Sequence, residues 1–355
     1  MKIGGKHSRF EKDMTASIKI LEVSIQKRTN KISAILVRAY SEPNPTSKYW
    51  AAVRRDLNVQ YRELQAIYSK WSNKNIPAAY KSAMRDLFKQ LNRSKDIARR
   101  SKRSYLDLVN SPRSNRIQNV LVKDAIADWT LSLKKGQTNL NRMTRKTQQA
   151  LVKQSFVDTS VVKAIGTGNL MNNTFIKSIN MSDTLAGALN EVAEIIDGEK
   201  YVIAGSRRYR PKYYAEMVTR VKFHEAQSLA AVGTAGNYGT SLLQVSSHNT
   251  STAICLDYEG KIFSIGGKDN RFPPVETLSP FHVNCLHLMF PTFESGLEVN
   301  GGVEKWSEFS KNKIDRPPSP ANFIPVKDRL KPNETSKQFD ARRRKERRAA
   351  RKVGA

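Results

Sequence analysis

Apolar positions in the first half of the chain recur at helical spacing. Phe10, Met14, Ile18, Leu21 and Ile25, then Ile32, Leu36 and Tyr40, mark one amphipathic helix. Pro43 and Pro45 interrupt it. Thr46 or Ser47 then caps a second helix, whose stripe is Trp50, Val53, Leu57, Tyr61, Leu64, Tyr68 and Trp71. Further stretches carry Tyr80, Met84, Leu87 and Leu91, then Ile117, Leu121, Trp129 and Leu133. The aromatic stripe invites a base-stacking or cofactor reading, but helix-packing core is the commoner use of such a pattern.

From about residue 181 the texture changes. Ser182 caps a helix through Leu185, Leu189, Val192 and Ile196, stopped by Gly198. Tyr201 to Ala204 reads as a short strand. Pro211 opens another helix, with Tyr214, Met217, Val218, Val221 and Leu229, ending in the Gly233–Gly239 region. Leu242 to Ser246, Lys261 to Ile265 and Leu286 to Phe290 are β-like. Beyond about Gly301 periodicity fades into a linker marked by Pro317, Pro318, Pro320 and Pro325. The expected architecture is α+β: an elongated helix-rich region over 1–180, a small α+β domain over 181–300, and a linker with a flexible basic tail over 301–355.

Charge changes this picture most. The 355 residues hold 61 Lys and Arg against 32 Asp and Glu, a net +29 with a pI near 10.1. Such self-repulsion points to a polyanionic partner, and nucleic acid is the default one. An anionic membrane is the competitor, but no apolar run approaches the roughly 20 residues that span a bilayer, so no membrane partner is expected. The N-terminus lacks the apolar core of a signal peptide, and two cysteines do not make a disulfide scaffold; both fit a reducing compartment. The densest basic run is Arg342, Arg343, Arg344, Lys345, Arg347, Arg348, Arg351 and Lys352, opposed only by Glu346. It has no apolar stripe to fold on and no aromatics to stack on bases, so it reads as a contact for duplex DNA without sequence preference; a solubilising tail is the plainer alternative. A second run, Lys95 to Arg103, reads equally as a phosphate contact or a solvated connector.

Four of the five histidines and both cysteines fall between residues 224 and 287. Cys255, His282, Cys285 and His287 supply the ligand types zinc prefers in tetrahedral sites, with His248 as a further candidate. The spacing is not that of a standard zinc finger. Buried thiols with hydrogen-bonded histidines remain the other reading. Enzyme signatures are weak: Gly166-Thr-Gly168 lacks the lysine of a phosphate loop, and His224-Glu225 is followed by Ser228 where a metalloprotease has its second histidine.

Ser247-His248, Cys255, Tyr258 to Ser264, Asn284 to His287 and Pro291 together resemble the C-terminal signature of phage minor capsid protein 2. That family is similar in layout to head morphogenesis proteins like the F protein of phage Mu. Against the Mu F-like pattern, Tyr258 stands where a second Cys is usual, Val283 for Pro, Leu286 for Arg and His287 for the last Cys. Tyr214 to Arg220 and the small-residue helix to Ala231 resemble the helix preceding the signature. The resemblance implies a structural virion component, not an enzyme, added near the portal protein on the capsid interior in the bacterial host cytoplasm and in contact with double-stranded genomic DNA. Two alternatives stand beside it. One is a sequence-independent nucleic-acid-binding protein unrelated to capsids; the other, more remote, is an ADP-ribosyltransferase-like domain built on Arg220, Ser246-Ser247 and Glu294.

Overall fold

The computed structural model describes residues 9–42, 45–154, 183–248, 252–275, 278–282 and 285–311. The basic run from Arg342 to Lys352 and Ser182, the expected helix cap, lie outside them.

Three long helices lead the chain: α1 (Arg9–Tyr40), α2 (Ser47–Leu91) and, after the short α3 (Lys95–Ala98) and α4 (Tyr105–Val109), α5 (Pro112–Gln154). At 1.5 Å per residue α2 alone is roughly 68 Å long. Thr46 is its N-cap, the hydroxyl accepting from the Tyr49 N–H at 3.1 Å. The stripe from Trp50 to Trp71 is buried, as expected of core. Beyond it the helix runs through Pro77 to Leu91 without a break, so Tyr80, Met84 and Leu87 continue the same element. A proline removes one helical hydrogen bond, but Ile76, Ala79, Tyr80 and Ala83 are buried on both sides of it and hold the helix in register.

Downstream come α6 (Asp183–Asp197), the hairpin β1 (Val202–Ala204) and β2 (Arg207–Tyr209), and α7 (Pro211–Asn237) with Pro at its first turn. Strand β2 was not legible in the pattern, because Arg-Arg-Tyr offers no apolar alternation. Then follow β3 (Leu242–Val245), α8 (Ala253–Leu256), β4 (Ile262–Ser264), β5 (Met289–Thr292), α9 (Glu294–Val299) and α10 (Val303–Lys311). The fold is α+β, with long helices and two small antiparallel sheets, β1-β2 and β4-β3-β5. In the larger sheet Leu243 sits opposite Phe263 on one side and Pro291 on the other. Proline is tolerated there because β5 is an edge strand. The strand expected at 286–290 thus lies later, at 289–292, and Leu286 is exposed.

The linker expected from residue 301 also begins later. Gly301 and Gly302, at φ of 112° and 91°, turn the chain, and α10 then lays Val303 and Trp306 against a small core with Leu242, Ile262, Phe272 and Leu297. Two glycines before a short helix look like an end in the sequence but act here as a corner.

The main core is continuous across the expected boundary at 180. Helix α7 packs against α1, α2 and α5, and α2 packs against α1, α5 and α7 and, more lightly, α4. Trp129 of α5 lies between Tyr68 of α2, stacked at 4.8 Å, and Tyr214 of α7 at 6.1 Å. Trp71 stacks on Phe223 at 5.6 Å, and the Tyr214 hydroxyl meets Ser132 at 2.7 Å. At the far end Asn237 donates to the Arg103 carbonyl and to Ser101, and Lys102 N–H donates to the Asn237 carbonyl. The basic connector is therefore pinned by its backbone to the end of α7.

Hairpin β1-β2 reaches the helices through Tyr201, whose carbonyl accepts from the Tyr61 hydroxyl at 2.9 Å. That approach needs Gly136: a Cβ there would stand 2.0 Å from the Tyr201 carbonyl oxygen. Helix propensity alone would make Gly136→Ala stabilising by about 1 kcal/mol. The clash with backbone reverses the sign, and we expect a net destabilisation of about 1–3 kcal/mol in urea unfolding. A gain in stability would refute the close approach.

Candidate metal centre

The larger sheet is tied to α7 by side chains from one helical face. Gln227 clamps β5, its amide donating to the Met289 carbonyl at 2.7 Å and its oxygen accepting from the Met289 N–H at 3.1 Å. At the next position, Ser228 donates to the Ser279 carbonyl at 2.8 Å. Ser228 occupies the position where a metalloprotease motif would need histidine, and here it anchors the loop that leads into the Cys/His segment. Ser279 in turn donates to the His287 carbonyl. Ser246, at the end of β3, completes the frame: its hydroxyl accepts from the Leu288 N–H and its N–H donates to the Leu288 carbonyl, both at 2.9 Å.

This frame brings the two halves of the Cys/His pattern together. Cys255, on the single-turn α8, meets Cys285 and His287, on the approach to β5. Their ligand atoms all lie within 4.8 Å of one another, and all three residues are buried. Cys285 Sγ is 3.5 Å from His287 Nδ1. His282 stands at the edge of the trio: its Nε2 is 3.0 Å from Cys255 Sγ, and it is half-buried. His248 is turned to other work. Its Nε2 bonds the Ser246 hydroxyl at 2.8 Å, and its ring packs edge-on against His287 at 5.1 Å. Tyr258, at the position of a second cysteine in the Mu F-like pattern, stacks on Phe281 at 4.0 Å, and Phe281 in turn borders His287.

Glu259 is the residue the pattern did not single out. Its carboxylate is 8% exposed, lies 3.6 Å from His287 Nε2, and accepts from the His248 backbone N–H. Its N–H bonds the Cys255 carbonyl at 2.8 Å, so the same turn that presents the thiol presents the carboxylate. Only its place four residues after Cys255 hints at this.

The two thiols are electrostatically unequal. A hydrogen bond from Cys255, joined by one from His287 and by backbone N–H groups, outweighs burial and pulls the Cys285 thiol down toward thiolate. Cys255, as the donor and itself buried, is pushed up. Burial lowers His282, which favours neutral imidazole. Thiolate and neutral imidazole are the metal-binding forms of these groups.

The residues considered for ADP-ribosyl transfer are each engaged elsewhere, Ser247 with the Glu259 carboxylate at 3.5 Å. Arg220 bonds Glu216 at 2.9 Å, Ser246 holds Leu288, and Glu294 pairs with Arg271. Among the described residues, no helix is long and apolar enough to cross a membrane.

Compared with known proteins, the chain matches one family model, described as phage minor capsid protein 2, over residues 170–350. No curated protein and no solved structure matches it.

The Gln227 clamp gives a direct check on how the site is positioned. Gln227→Ala leaves a buried N–H and C=O of β5 without partners, a cost of about 2 kcal/mol in thermal or urea unfolding. An unchanged midpoint would mean that the strand is held by other contacts.

Proposed function

The chain belongs to the phage minor capsid protein 2 family, and from that premise we propose that it is carried inside the virion near the portal, touching packaged double-stranded DNA. The family is a structural, capsid-related one. The observation that supports the DNA contact is the net charge of +29. Packaged duplex is the polyanion that such a chain would meet inside a head, and each phosphate neutralised releases counterions.

The tail from Arg342 to Lys352 is the first contact we assign. Nothing in its sequence asks for a base edge, so its binding is to backbone phosphate. Alanines at 349 and 350 and the absence of Gly or Pro within the run let it become helical once phosphate screens its charges. The basic faces of the helices supply the remainder, because most of the excess charge lies ahead of residue 312.

Duplex affinity measured across a salt series tests the tail. Removing residues 338–355 should flatten the slope of log affinity against log salt by about 0.9 for each phosphate that the shortened chain leaves unneutralised. A slope that does not change moves the DNA contact onto the helices. Location is tested separately, by quantitative mass spectrometry of purified virions. We expect the chain in a fixed low ratio to the portal protein; its absence from DNA-filled heads would favour a nucleic-acid-binding role outside the particle.

A further inference from the structure

We infer that Cys255, Cys285, His287 and His282 form a structural zinc site that clasps the small sheet. The inference goes beyond the virion role and is independent of it. Zinc in a tetrahedral site binds sulfur at about 2.3 Å and nitrogen at about 2.0–2.1 Å, which puts neighbouring ligand atoms roughly 3.3–3.8 Å apart. The Cys285–His287 separation of 3.5 Å lies within that range, and the Cys255–His282 separation of 3.0 Å lies just under it. Three of the four ligand atoms are already mutually within 4.8 Å. The fourth, His282 Nε2, lies 3.0 Å from Cys255 Sγ at the edge of that trio, and its ring would have to turn inward to complete the set.

The surroundings of His287 carry the argument furthest. One ring nitrogen, Nδ1, faces Cys285; the other, Nε2, faces the Glu259 carboxylate at 3.6 Å. Nε2 is buried and makes no hydrogen bond within normal limits. A carboxylate behind the far nitrogen of a histidine is the arrangement that orients metal-bound imidazole and fixes its tautomer. In a metal-bound form the ring proton would sit on Nε2, facing Glu259, and the Nδ1 lone pair, on the side of Cys285, would be directed at the metal.

The donor set also sets the metal. Two sulfurs and two imidazoles select zinc over magnesium or calcium, which take oxygen ligands. Four protein ligands leave no open position, and the Tyr258–Phe281 stack lies beside His287. The role is therefore to hold, not to catalyse. Cys255 and Cys285 belong to segments on opposite sides of β4 in sequence, in a part of the fold whose strands are three or four residues long. A metal joining them stabilises what so small a sheet supplies poorly by packing.

Elemental analysis of the full chain, purified without chelator, should give one zinc per chain. Mercurial titration of the two thiols should release it stoichiometrically, read with a zinc-sensitive dye. Replacement by cobalt should give thiolate-to-metal charge transfer and the visible bands of tetrahedral Co(II), a readout that does not depend on a variant folding. Cys285→Ser should abolish both signals, and Glu259→Gln should keep the metal but weaken its affinity about 10- to 100-fold in chelator competition. Wild-type protein with no bound metal and either two freely titrating thiols or a Cys255–Cys285 disulfide overturns the inference. Cobalt bands unchanged in Cys285→Ser overturn it equally.

Discussion

Helix α7 is the element on which the rest of the structure depends, because it packs both against the long helices and against the larger sheet. Its Tyr214 and Phe223 enter the aromatic column with Trp129, Tyr68 and Trp71 and so belong to the helical core. One turn further along, Gln227 and Ser228 reach β5 and the loop carrying the Cys/His segment. The placement of the candidate centre is thus inherited from the packing of helices that lie far ahead of it in the chain. The small residues late in α7, Ala226, Ala230, Ala231 and Ala235, are buried and let the sheet and the neighbouring helices come close.

The same helix carries a buried charge through that core. Lys222 is 7% exposed and pairs with Glu225 at 2.9 Å and with Asp128 of α5 at 3.9 Å. Burial works against its ammonium, but the nearby carboxylates outweigh burial and raise its affinity for the proton. Its carboxylate partners lie on α7 itself and on α5, so its charge is compensated within the molecule. It takes no part in the excess positive charge presented to solvent.

The helical half was largely legible in the sequence because its signal is one-dimensional. Spacing places Phe10 to Tyr40 and Trp50 to Trp71 on their helices, and the structure buries them. Where the pattern failed, tertiary packing had overridden a local rule. Pro77 sits inside α2, Gly301 and Gly302 begin a corner before α10, and Pro291 occupies an edge strand. The site was legible in its ligand types but not in its geometry. Cys255 and His287 are 32 positions apart, and no spacing rule states that Ser279, Ser246 and Gln227 fold the second segment back onto the first. Glu259 was invisible for the same reason: its meaning lies in facing His287, which only the fold decides.

The burial of the aromatic stripe constrains how the protein meets its partners. Trp50, Tyr61, Tyr68 and Trp71 are spent inside the molecule, so they are not a surface for docking on a portal or shell. The large apolar side chains exposed among the described residues are spread over many elements: Ile20, Val23 and Val37 on α1, Val59 on α2, Leu106 on α4, Val120 on α5, Tyr213 on α7, Leu286 before β5, Val299 on α9 and Phe309 on α10. Exposed residues distributed in this way, the largest local group being the Ile20–Val23 pair, fall short of the contiguous patch an apolar interface needs. What the folded body offers instead is charge, with the basic run from Arg342 to Lys352 beyond it in sequence. Association through such a surface is steered over about a Debye length and weakens with salt, whether the partner is duplex phosphate or an acidic protein face.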